Sequence, residues 1–251
     1  MLFEFQYFVC KHHRLRSWGV LVPKRPFWRL WWNGREAAAT VSAADGDVVL
    51  GPDRFVLVAP HTDFNVSLLE LTEHMDVHFE LSEPLGAAVS GLYTVSAAPE
   101  LVEKLKEACA LSKDDRRRQI LLLTQVISGV FLQLSDDVWR EPIADQRIVR
   151  VLRAMDAHLG ETLSNRQFAE MAHMAPTAFI RRFKQVLGRS PQAYYLHKRL
   201  DQSCLLLETG DKSIERVAEE CGFGDRSYFS TAFRKHFRIS PAAFRRASRS
   251  R

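Results

Sequence analysis

Cysteine is scarce in this chain and poorly spaced for metal or disulfide chemistry. The 251 residues hold four, Cys10, Cys109, Cys204 and Cys221. None forms a C-x-x-C pair, and no histidine stands at a zinc-finger distance from two of them. They read as buried or free thiols of a reducing compartment. Long apolar runs are missing too. The longest, Ile120 to Leu134, is broken by Thr124, Gln125, Ser128 and Gln133, too short and polar to cross a bilayer. The N-terminus is apolar first, at Phe3, Phe5, Tyr7, Phe8 and Val9, and basic afterwards, the reverse of a secretory leader. A zinc finger, a disulfide scaffold and a membrane span are thereby excluded. The expected location is cytoplasmic, with no membrane partner.

Charge of one sign is also short in one half. Residues 145–251 carry 20 Lys/Arg against 11 Asp/Glu, net +9, while residues 1–144 carry 15 against 19, net −4. Such a split suggests a polyanion partner for the C-terminal half alone. A solvated basic surface gives the same count, so charge by itself leaves both readings open.

Three stretches differ in pattern. Residues 1–98 read as short strands: Val48-Val49-Leu50, Phe55 to Val58 and Val66 to Leu71 are separated by turn formers such as Asp45-Gly46-Asp47 and Gly51-Pro52-Asp53. Many short strands with frequent turns predict a barrel or sandwich. The aromatic cluster Phe27-Trp28-Arg29-Leu30-Trp31-Trp32 fits a filled core or a ligand pocket. Residues 99–142 predict two amphipathic helices, with Leu101, Leu105, Ala108 and Leu111 on one and Ile120, Leu123, Ile127, Phe131 and Leu134 on the other. These would pack on the strand domain or form a homodimer seam, and Ser135 to Pro142 would be a linker. From residue 143 to 251 everything reads as helix, beginning with the stripe Ile148, Leu152, Met155 and Leu159 before Gly160.

That last domain says nearly the same thing twice. Phe183 and Phe233, Ser190 and Ser240, and Tyr194 and Phe244 are each 50 positions apart. The second copy has one extra residue within Cys221-Gly222-Phe223-Gly224. In each copy a short helix, a tight turn and a second helix are predicted, over about 164–187 and 213–236. Pro176 suits a first helical turn and Gly188 a stop, and Ser190-Pro191 is an N-cap followed by proline. Phe179, Phe183, Phe229 and Phe233 would be buried. A polar, basic outward face on the second helix is what a major groove accepts, because Arg can bond guanine bidentately and Ser or Thr can donate or accept.

These residues resemble the AraC/XylS family of transcriptional regulators. The match runs from Phe168-Ala169 to Arg246 and is most specific over Ile214 to Ser230, then Phe233-Arg234 and Ser240-Pro241; Gly188 to Pro191, Tyr194 and Arg199-Leu200 carry it in the first copy. The resemblance implies an α+β, two-domain protein: an N-terminal cupin-like β-barrel with following helices, and a C-terminal all-α domain with two helix-turn-helix motifs. It implies base reading by Thr177, Ile180 and Arg181 in the first unit and by Arg226, Ser227, Ser230 and Thr231 in the second. Arg182, Lys184, Arg234, Lys235 and Arg238 would meet phosphates, which position without specifying. Double-stranded DNA is the expected partner, RNA polymerase and a small-molecule effector further ones. Three positions depart from the family pattern: Ala175 stands at an N-cap, Ile180 at a usually polar reader, and Arg238 where glycine precedes Ile239-Ser240-Pro241. In the first domain His61, His74 and His78 lack the His-x-His and Glu spacing of a metal-holding cupin, so neither metal nor cofactor is expected.

The alternative is a non-specific architectural DNA protein, which would favour apolar wedges over polar readers. An enzyme fused to a DNA-binding module would need an activated cysteine, which the spacing does not offer. A sequence-specific, non-enzymatic regulator is the expectation.

Overall fold

The apolar alternation of the first domain resolves into two antiparallel sheets. The computed structural model describes residues 5–18, 25–81, 88–141 and 143–249; Phe3 and Pro142, used above to read the N-terminus and the linker, lie outside them. The strands are β1 (Phe5–Leu15), β2 (Trp28–Asn33), β3 (Ala39–Ala43), β4 (Gly46–Leu50), β5 (Arg54–Val58), β6 (Phe64–Leu68), β7 (Thr72–Leu81) and β8 (Leu92–Ser96). Five pair in the order β1-β7-β2-β5-β8 and three in the order β4-β3-β6. Two helices follow, α1 (Pro99–Ala110) and α2 (Arg116–Phe131).

Every residue of β2 is buried, and the pleat explains how. Trp28, Leu30 and Trp32 face one way, into a core shared with Val102, Leu105 and Ala108 of α1 and Leu123, Val126, Ile127 and Val130 of α2. Trp31 faces the other way, into a second core with Val41, Leu50, Val56 and Phe64 between the sheets. A strand with both faces covered loses the polar alternation that marks a half-exposed one. The aromatic cluster is therefore core on both faces. Burying each such side chain contributes about 1.5–3 kcal/mol.

Two expectations need correcting. Among the described residues no ladder joins the two sheets, so the cupin-like domain is an open sandwich rather than a closed barrel. The chain leaves β4 for β5 through Gly51-Pro52-Asp53, and a proline has no N–H with which to continue a ladder there. The stretch read as a linker is also partly built in. Val138 is buried, Trp139 pairs with Ala88 as an isolated bridge, and its ring stacks on Phe131 at 5.5 Å. The chain divides into two units between Arg140 and Glu141.

The second unit is helical throughout. It comprises α3 (Gln146–Ala157), α4 (Asn165–Met171), α5 (Pro176–Leu187), α6 (Pro191–Thr209), α7 (Ile214–Glu220), α8 (Arg226–Phe237) and α9 (Pro241–Arg249). Among the described residues no helix of the chain is long and apolar enough to cross a membrane.

Candidate nucleic-acid interface

Short polar side chains fix where these helices begin. Ser164 accepts from the Gln167 N–H while Gln167 Oε1 accepts from the Ser164 N–H, a reciprocal capping box. Ser190 caps α6 through the Ala193 N–H, Ser213 caps α7 through Arg216, and Asp225 caps α8 through Tyr228 at 2.7 Å. Helix α5 is the exception: Ala175 supplies no side-chain bond, and Pro176 at the first helical position has no N–H to satisfy.

The two turns superimpose in their hydrogen bonding. In the first, the Met174 N–H donates to Ala169 O at 2.9 Å; in the second, the Phe223 N–H donates to Ala218 O at 2.9 Å. The residue before each has a left-handed backbone, His173 at φ 53° and Gly222 at φ 72°. Gly224 is thus the inserted residue, placed between Phe223 and the cap Asp225. Gly222 has a second constraint: a Cβ there would stand 3.0 Å from the Gly160 backbone and 2.9 Å from an Arg199 nitrogen.

Helix α6 ties the two turns together. Tyr195 is buried in the core of the first unit with Phe168, Phe179 and Phe183, and its hydroxyl donates to His158 O and to Glu161 O. One turn later, Arg199 Nε donates to Cys221 O at 2.5 Å and the guanidinium lies 4.4 Å over the Phe223 ring. Lys198 on the same helix pairs with Asp156 of α3 at 2.8 Å. Burial pushes the Cys221 thiol up to about 12, which keeps it neutral inside this joint. Sequence reading used Arg199 only as a matching residue. Its signal was the i, i+4 spacing from Tyr195.

On α5, Thr177, Arg181 and Lys184 are exposed at i, i+4 and i+7 and share one stripe, while Ile180 is half-buried against the core. On α8, Ser227, Thr231 and Arg234 occupy the corresponding stripe, with Arg226 and Lys235 exposed beside it and Ser230 half-buried. The charges are not equally disposed. Arg226 pairs with Glu215 of α7, whose carboxyl is held below its usual range chiefly by its own backbone N–H. Arg182 Nε donates to Asp145 Oδ2 at 2.7 Å; Asp145 also binds Arg147, and these two arginine bonds hold its carboxyl well below the usual carboxylate range. Among the described residues, Arg181, Lys184, Arg234 and Lys235 form no ion pair. Arg238 is exposed and closes α8 at φ 61°, in the place that Gly188 fills after α5 at φ 73°.

Residues 168–247 match a family model described as a helix-turn-helix domain. The match is to helix-turn-helix domains of the AraC type. This AraC-type unit is 34% identical over 95 residues to the MmsAB operon regulatory protein of Pseudomonas aeruginosa, covering 38% of this chain and 31% of that one. A probable transcriptional regulator, LumQ of Photobacterium leiognathi, is 34% identical over 130 residues, 49% of this chain and 51% of that one. The chain thus spans about half or less of the length of these relatives. ToxT of Vibrio cholerae O395, solved with an alkenoic acid bound, aligns over 97% of this chain and 99% of its own with a TM-score of 0.62 at 13% identity. That likeness establishes the two-domain fold, a strand-rich unit followed by the AraC-type unit.

Proposed function

We propose that the protein is a sequence-specific, DNA-binding transcriptional regulator whose helices α5 and α8 read successive major grooves of one asymmetric site. The observation that carries this reading is the pair of outward polar stripes, Thr177-Arg181-Lys184 and Ser227-Thr231-Arg234, held in fixed relation by Tyr195 and Arg199 of α6. Thr177, Ile180, Arg181, Arg226, Ser227, Ser230 and Thr231 are assigned to bases. Lys184, Arg234, Lys235 and Arg238 are assigned to phosphates, with Arg182 joining them only on release from Asp145. RNA polymerase is a partner of this reading, a homodimer formed through the helices of 99–142 its proposed assembly, and no catalytic step is assigned.

The strand-rich unit is assigned to an effector. Among the described residues, the buried polar atoms of its interior without a hydrogen-bond partner include His13 Nδ1, Trp18 Nε1 and Asn33 Nδ2. They lie within one cluster: the His13 and Trp18 rings are 5.5 and 5.0 Å from His74, and His74 Nδ1 is 2.7 Å from Asn33 Oδ1. An unpaired buried donor costs about 1–3 kcal/mol, which an acceptor-bearing ligand would recover. A small carboxylic acid is the class to test first, by analogy with the acid bound by ToxT.

Selection of sites from random duplex DNA with the purified chain tests the regulator reading. The expected result is a bipartite motif with its halves about 10 base pairs apart; no enriched motif would overturn it. Affinity for that motif is expected to fall about 10³–10⁵-fold between 50 and 200 mM salt, as for roughly 6–10 phosphate contacts. A flat salt response would remove the phosphate assignments.

A further inference from the structure

Two of the four thiols, far apart in sequence, meet in space. Cys10 on β1 and Cys109 on the last turn of α1 are 99 residues apart, yet their Sγ atoms lie 3.1 Å apart. Both are half-buried and neither is in a disulfide, whereas Cys204 and Cys221 are fully buried in the other unit. The site is stitched from four elements. Cys10 lies opposite Val77 of β7 in the sheet register. Beside it the Tyr7 hydroxyl donates to Gln119 Oε1 of α2, and Gln119 Nε2 donates to Ala108 O of α1 at 2.7 Å.

We propose that Cys10 and Cys109 form a reversible dithiol–disulfide couple that clamps α1 onto β1 when the protein meets a small disulfide. An S–S bond is about 2.05 Å long, so the sulfurs must close by about 1 Å, within the play of two side-chain rotamers. Disulfides that do form in a reducing compartment are usually of this transient, sensing kind. In the first step the Cys10 thiolate attacks one sulfur of the small disulfide; that S–S bond breaks and one small thiolate leaves. In the second, the Cys109 thiolate attacks Cys10 Sγ, the Sγ–Sγ bond forms, and the second small thiolate leaves. The two protein thiols are oxidised, the small disulfide is reduced to two thiols, and the two cysteine protons pass to them. The order follows from the surroundings: the hydrogen bond shared with Cys10, and then burial, hold the Cys109 thiol far above its usual range. Cys109 therefore acts second, on a sulfur already delivered to it.

The experiment equilibrates the full chain in mixtures of reduced and oxidised glutathione, alkylates the remaining thiols and maps the peptides by mass. A linked Cys10–Cys109 peptide that disappears with dithiothreitol is expected, with Cys204 and Cys221 alkylated only after unfolding. In Cys109→Ser, glutathione should accumulate on Cys10 instead. The clamp closes a loop of about 100 residues, so the oxidised strand-rich unit should melt roughly 10 °C higher than the reduced one. Equal alkylation of Cys10 and Cys109 in both buffers, a stable glutathione adduct in the wild type without the linked peptide, or unchanged melting of the linked protein would each overturn the proposal. The wild-type peptide map decides the matter even where a serine variant fails to fold.

Discussion

The two helix-turn-helix units share a hydrogen-bonding scheme and differ in how it is secured. The first starts α4 with a reciprocal capping box but leaves α5 uncapped at Ala175. The second caps both helices with one side chain each, Ser213 and Asp225, and uses Gly222 where the first forces His173 into a left-handed backbone. At the other end the advantage reverses: Gly188 closes α5 without strain, while Arg238 closes α8 in a conformation that disfavours a side chain. The proposed readers differ as well, since among the described residues Arg181 forms no ion pair while Arg226 is held by Glu215. A repeated sequence thus conserves the path of the backbone and lets local stability and electrostatic freedom drift independently.

The largest expected effect comes from cutting the tie between the units. Arg199→Ala removes a charged bond to Cys221 O and a cation–π contact with Phe223, and should destabilise the helical unit by about 2–3 kcal/mol. Chemical denaturation of the wild type and variant checks it; a single sharp transition of unchanged midpoint would mean that α6 does not couple the turns. Next come the readers. Arg181→Ala should cost about 1–3 kcal/mol of operator affinity and relax preference at one base position. Arg226→Ala should cost less, because Glu215 already occupies part of that guanidinium. Binding assays on single-base variants of the selected site decide between them, and equal weakening across all sequences would move either arginine to the phosphate group. The caps form the third comparison. Ala175→Ser should stabilise by about 1 kcal/mol and Asp225→Ala destabilise by about as much; equal responses in sign would show that the two α-helix starts are not equivalent. The smallest effect belongs to Arg238→Gly, which should stabilise by about 0.5–1 kcal/mol while weakening DNA binding slightly at low salt.

What was legible in the sequence was what is decided locally. The helix start at Ser190, the stop at Gly188, and the buried pairs Phe179-Phe183 and Phe229-Phe233 rest on residues within one or two turns of each other. The strand-rich unit was readable as a class but not as a topology. The short apolar run Phe55 to Val58 reads the same in a closed barrel and in an open sandwich, and β2 hid its two faces behind an unbroken apolar run. Long-range pairings left no trace at all. Nothing near Arg182 announces Asp145, 37 positions away, and nothing near Cys10 announces Cys109. The tie from Asp145 to Arg182 was missed for the same reason that the tie from Arg199 to Cys221 was: each joins distant segments.

The close approach of Gly160 to Gly222, with Arg199 wedged beside it, leaves the helical unit little room to hinge. A rigid two-pronged reader works as a caliper. Each base pair added between the half-sites of a duplex turns one of them by about 34–36° around the axis and moves it about 3.4 Å along, and a caliper cannot follow both changes. The burden of adjustment then falls on the duplex, through bend and twist. Operators of such a protein are free to vary in their letters long before they are free to vary in their length.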